Sequence, residues 1–135
     1  MSYEAEKNDK SKFDWVAQRG ACTLPKVFKT LRLDVEADVK ERNALRPDNS
    51  PYEFLVVESG DNFSVVLEAK ELQRSVKFCL EDHAILVLDH NGNHMFEIIL
   101  LFDDQGNCRM KAKEENRDPW QVRRMALEDL MFRTN

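Results

Sequence analysis

No apolar run in this chain approaches the roughly 20 residues needed to span a bilayer. The opening stretch MSYEAEKNDKSKFD has no apolar core of the kind a secretory signal carries. Neither a membrane span nor an export signal is expected. Glycine is scarce, with four in 135 residues, and none sits in a G-x-G-x-x-G or a phosphate-cradling loop. H-E-x-x-H is absent too. Asp103-Asp104-Gln105-Gly106-Asn107 lacks the twelve-residue spacing and terminal glutamate of a calcium loop, so it reads as a turn. The three cysteines, Cys22, Cys79 and Cys108, are odd in number and show no C-x-x-C spacing. They are expected to be reduced thiols in a cytoplasmic protein.

Positive charge is also in the minority, with 20 Lys and Arg against 25 Asp and Glu and a net charge of -5. That balance steers the chain away from nucleic acid and anionic membranes. Lys111, Lys113, Arg117, Arg123 and Arg124 form a modest basic region, interrupted by Glu114 and Glu115. It could receive a phosphate or an acidic patch, but it does not make a nucleic-acid groove.

What the chain does have is 42% apolar residues, enough for a core in one domain. Residues 1–12 are expected to be a flexible tail and 13–135 a single α+β domain. Phe13, Trp15 and Val16 predict a short docked segment, with Gly20 at its end. From Thr23 to Ala44, Leu24, Val27, Phe28, Leu31, Val35 and Val39 recur at helical spacing. Thr23 is placed to cap this long N-terminal helix, and Pro25 suits its first turn. The alternation of Leu31, Leu33, Val35, Ala37 and Val39 offers a competing strand, which the length and the Lys, Glu, Arg and Ala content disfavour.

About six antiparallel strands then follow in a curved sheet: Tyr52–Glu58, Phe63–Ala69, Ser75–Leu80, His83–Asp89, His94–Phe102 and Asn107–Ala112. Lys70–Arg74 reads as a connection. A C-terminal helix runs from Asp118 to Met131, with Asp118 and Gln121 spaced as a capping box. Trp120, Leu127, Leu130 and Met131 are its expected core face. On that reading Trp120→Ala would cost about 3–5 kcal/mol.

The chain centres on His83–Phe102, where Asn91-Gly92 predicts a two-residue hairpin turn. Such a turn sets Asp89 opposite His94, Val87 opposite Phe96 and Ile85 opposite Ile98. One face then carries His83, Ile85, Val87, Phe96, Ile98, Leu100 and Phe102. The other carries Ala84, Leu86, Leu88, Met95, Ile99 and Leu101. Both faces are apolar, so something beyond one layer of helices is needed to cover them: the second helix, a closed cavity or another subunit.

No catalytic or metal set emerges. His83 lies too far along its strand from His94 and Asp89 to share a metal with them, and no nucleophile stands near that pair. No cofactor is expected. Glu97, in the middle of MFEIILLF and opposite Leu86, reads either as a carboxylate lining a pocket or as a sheet glutamate that is paired or stands at the strand surface. The candidate ligand- or partner-binding residues are Tyr52, Phe54, Leu86, Glu97, Ile99, Arg123 and Arg124. The leading expectation is a protein- or peptide-binding assembly module that self-associates. The alternative is a small-ligand or enzymatic cup with an apolar pocket containing Glu97. Tyr52, Phe54 and Phe63 could stack bases, a third reading that the negative charge opposes.

Overall fold

A computed structural model describes residues 12–47, 50, 52–69 and 72–133. Residues 1–11, and with them nearly all of the expected tail, lie outside the described residues. The described chain runs α1 (Trp15–Ala21), α2 (Leu24–Ala44), seven strands, then α3 (Pro119–Phe132). The strands are β1 (Glu53–Ser59), β2 (Asn62–Ala69), β3 (Leu72–Leu80), β4 (Ile85–Leu88), β5 (His94–Phe102), β6 (Cys108–Ala112) and β7 (Glu115–Arg117). They form one antiparallel sheet in sequence order, as short connections require. The α+β architecture is thus as the sequence predicts, with one strand more. Among the described residues no helix is long and apolar enough to cross a membrane.

The long helix follows its periodicity. Phe28, Leu31, Val35 and Val39 are buried, and Leu24 and Val27 are half-buried beside them. Thr23 is the cap residue by position, but its side chain makes no capping hydrogen bond. In α3, Gln121 Oε1 accepts the Asp118 amide at 2.8 Å, the reciprocal arm of the expected box. The buried face of α3 is Val122, Ala126, Leu127, Leu130 and Met131. Trp120 is 52% exposed and lies off that face, which removes the reason for a large penalty on its truncation.

Both α2 and α3 pack on the same side of the sheet. The face beneath them gathers Phe54, Phe63, Val65, Leu67, Val76, Phe78, Ile85, Val87, Phe96, Ile98 and Ala112 into one core. Phe63 stacks on Phe78 with centroids 4.6 Å apart, and Phe28 of α2 tilts onto Phe63 at 5.2 Å. Arg123 of α3 ties the two helices together, pairing with Asp38 at 2.6 Å and Asp34 at 3.5 Å.

The central hairpin corrects the predicted turn. Asp89 pairs with Asn93, not His94, closing a three-residue loop His90-Asn91-Gly92. Gly92 has φ +81°, and Asn91 is not in the left-handed region that a two-residue type I′ turn needs. Asp89 Oδ1 fixes the loop by accepting the Asn91 and Asn93 amides, each at 2.9 Å. This loop alone would slip the pairing by one residue and turn the apolar set outward. A bulge between Val87 and Leu88 takes up Met95 and restores Val87↔Phe96 and Ile85↔Ile98. The expected apolar pairs therefore form, but by a route the turn dipeptide did not indicate.

The β5–β6 turn repeats the same chemistry. Asp103 Oδ1 accepts the Gln105 and Asn107 amides at 3.0 and 2.9 Å, and Gly106 has φ +82°. Asp-x-x-Gly-Asn occurs in both loops, as DHNGN and DDQGN. The extra strand β7 follows a tight turn in which Lys113 and Glu114 both have positive φ, 53° and 66°. With no glycine or asparagine there, nothing in the sequence announces that turn. Two further expectations shift. Leu72–Arg74 belong to β3, and His83 precedes β4 instead of starting it.

The expectation of three reduced cysteines is also corrected. Cys22 and Cys108 form a disulfide, with Cα atoms 5.4 Å apart and a sequence separation of 86. Only folding brings such distant residues together, so their spacing gave no sign of it. Closing a loop of this size restricts the unfolded chain by about 4.5 kcal/mol on a chain-entropy estimate.

Candidate functional site

Among the described residues, nothing covers the sheet face away from the helices. Its side chains follow from the register. Leu55 lies beside Val66, and Val57 beside Ser64. Leu88 lies between Lys77 and His94, and Leu86 between Cys79 and Glu97. Ile99 lies beside Lys111, and Leu101 beside Arg109. Val57 is 51% exposed and Leu101 48%, while Leu86 and Leu88 are half-buried. The result is a broad surface on which aliphatic side chains alternate with charged and polar ones.

This arrangement separates the residues that the sequence grouped as candidates. Leu86, Glu97 and Ile99 share the outer face. Phe54 is on the opposite face, 2% exposed, under α2. Tyr52 is half-buried against the same core. Arg123 is engaged with Asp34 and Asp38, and Arg124 with Glu128. The carboxylate of Glu128 sits below its ordinary range, chiefly because Arg124 hydrogen-bonds to it.

Glu97 is opposite Leu86, as predicted, but its side chain is 52% exposed. The pocket-lining reading of Glu97 is therefore corrected, and the strand-surface reading holds. The carboxylate stands on open surface with His94 Nε2 at 4.0 Å, beside a shallow groove of about 420 Å³ that also touches Lys111. The reason is geometric: a residue in an apolar run is buried only if its own face of the sheet is covered. Cys79 is half-buried on the same outer face, and burial raises its thiol pKa above the ordinary value, with nearby Lys77 opposing. A raised pKa keeps it mostly protonated near neutrality. Among the described residues no three His, Cys, Asp or Glu side chains converge to hold a metal.

The edges of the sheet are less open than its face. Asn43, at the end of α2, uses its amide as a strand would. Its Nδ2 donates to the Phe54 carbonyl at 2.9 Å, and its Oδ1 accepts the Phe54 amide at 3.0 Å. Arg46 donates to the Tyr52 carbonyl at 3.0 Å. The start of edge strand β1 is thereby occupied. The other edge, β7, is three residues long. Neither latch residue has a motif, so sequence reasoning missed both.

On the helical side, a groove of about 470 Å³ runs between α2 and α3 over Leu127 and Met131. Leu45, Trp120 and Phe132 form its exposed apolar walls. Arg42 bridges its floor and end. Its Nε donates to the Met131 carbonyl at 2.8 Å, and its guanidinium lies over the Phe54 and Phe132 rings at 5.3 and 5.0 Å. It satisfies one of the carbonyls left open at the end of α3.

No protein-family model, curated protein or solved structure matches this chain.

Proposed function

We propose that the chain is a protein- or peptide-binding assembly module, and that it self-associates through the outer face of its sheet. One observation carries the reading: α2 and α3 cover the same face, leaving Leu55, Val57, Ile99 and Leu101 exposed on the other. Patches of exposed aliphatic groups interleaved with charge suit a partner better than a catalytic centre, which needs converging ionisable groups. A partner lying flat on this face fits better than one adding a strand, because Asn43 and Arg46 occupy the start of the β1 edge.

The pocket reading loses its main support with Glu97 on open surface. The cytoplasmic location expected from the sequence is not part of this proposal. The Cys22–Cys108 bond weighs against that location, because disulfides persist mainly in oxidising compartments.

Light scattering on the purified chain, with Leu86→Lys and Ile99→Lys beside it, tests the reading. The wild type is expected at twice the chain mass, and each variant at the chain mass with its secondary structure intact. Folded variants that keep the dimer mass would remove the outer face from the proposal. A monomeric wild type would remove self-association.

A further inference from the structure

The first helix is bound to the domain in an unusual way. None of the residues of α1 is buried, and Trp15 is 61% exposed. The core is built from residues of α2, the sheet and α3, and α1 contributes nothing to it. Lys26 Nζ of α2 donates to the Gly20 carbonyl at 3.2 Å, and two further contacts tie this segment to the β5–β6 end of the sheet. The Phe13 ring lies on Gly106, so close that a Cβ there would meet Phe13 Cζ at 2.6 Å. The other attachment is the Cys22–Cys108 bond. Cys22 is 4% exposed, whereas Cys108 lies in an exposed position just after the turn. Ala21, at the end of α1, forms one wall of a groove of about 320 Å³ whose other walls include Val27, Leu31 and Met110.

We propose that Cys22–Cys108 is a thiol–disulfide exchange site, at which a dithiol reductant releases α1 while the sheet, α2 and α3 stay folded. A thiolate of the reductant attacks the sulfur of Cys108, the more exposed residue of the pair. The sulfur–sulfur bond breaks, and its electron pair leaves on Cys22, which takes a proton. The second thiol of the reductant then displaces Cys108 from the mixed disulfide. Two electrons and two protons pass to the protein, and the dithiol closes to its own disulfide. Arg19 keeps a cation next to the leaving cysteine, because its guanidinium donates to the Cys22 carbonyl at 3.1 Å. A nearby cation favours a thiolate leaving group. Cys79 takes no part, since it faces outward on β3, three strands away from Cys108. Release frees the segment bearing Phe13, Trp15 and Val16, and it opens the Ala21 side of the groove over Leu31 and Met110.

Hydrogen exchange with mass spectrometry on the full chain tests this, before and after native treatment with dithiothreitol, with cysteines counted by alkylation. The untreated chain is expected to label at one cysteine and the reduced chain at three. Amide protection over residues 12–22 should fall by about tenfold or more, while β2, β3 and β5 keep theirs within about twofold. Three labelled cysteines before treatment would overturn the proposal. So would unchanged protection of α1 after full reduction, or loss of core protection together with α1. The double variant Cys22→Ser, Cys108→Ser should show the released pattern without reductant. If it does not fold, the bond holds the whole domain together and the proposal fails.

Discussion

Leu86 and Val87 are neighbours in the same short strand, with similar chemistry and opposite surroundings. Val87 is fully buried between Phe78 and Phe96 on the helix-covered face, and Leu86 is half-buried on the bare one. The difference lies in what lands above each face, not in either residue. Both helices settle over the face bearing Phe54, Phe63, Phe78 and Phe96, where the larger rings offer more area to bury. Arg123 then holds α3 against α2, so neither helix reaches the other side of the sheet. An apolar stretch in a strand thus supplies two faces, and the helices choose between them.

The comparison can be broken most sharply at β3 and β4. Phe78→Ala removes a fully buried ring that stacks on Phe63 and is expected to cost about 3–5 kcal/mol in denaturant unfolding. At protein concentrations low enough to keep the chain monomeric, Leu86→Ala should cost about 1 kcal/mol or less, because its surroundings can relax into solvent. The proposed dimer predicts a Leu86→Ala cost that rises with protein concentration, and equal losses at the two positions under dilution would mean that the outer face is covered within one chain.

A smaller effect is expected at the edge. Asn43→Ala leaves both the amide and the carbonyl of Phe54 without their side-chain partner, for about 1–3 kcal/mol. The same variant should open the start of β1 and promote aggregation on heating. If turbidity and unfolding midpoint both stay at wild-type values, the latch does not protect the edge.

The smallest effect concerns the turn that both faces share. Asp103 has its pKa lowered, first by the Asn107 amide and then by the Arg109 side chain. A depressed carboxylate stabilises the fold above its unfolded pKa, near 3.8, and that contribution is lost as pH falls through the lower folded value. Asp103→Asn keeps an acceptor for the two amides but cannot titrate. Its thermal midpoint should therefore fall less steeply than that of the wild type below about pH 4. Parallel acid profiles would show that ionisation of Asp103, held by the Asn107 amide and Arg109 together, contributes nothing measurable.

Much of the architecture could be read directly from the residues. The period of Phe28, Leu31, Val35 and Val39 marked α2, and alternation marked the strands and the inward set of Phe63, Val65, Val76 and Phe78. These signals are local, since each depends on a side chain's position within its own element. The Asp-x-x-Gly-Asn loops were legible as turns, though the dipeptide Asn91-Gly92 pointed to the wrong length. The aspartate side chain, by taking two amides, selected a three-residue loop in both places. The candidate site was less legible. Leu86, Glu97 and Ile99 were correctly placed on one face, yet nothing local separated them from Phe54, which the fold hides beneath α2.

By itself, then, the sequence determined the elements other than β7, their order, the antiparallel class and the pairing of Val87 with Phe96 and Ile85 with Ile98. Periodicity and short connections suffice for these. Only the tertiary structure decided which sheet face the helices cover, whether Glu97 is buried, that Asn43 closes an edge, and that Cys22 meets Cys108. Each of these depends on residues far apart in the chain arriving at one place. That arrival is set by how the helices pack on the sheet, a property that no single segment carries.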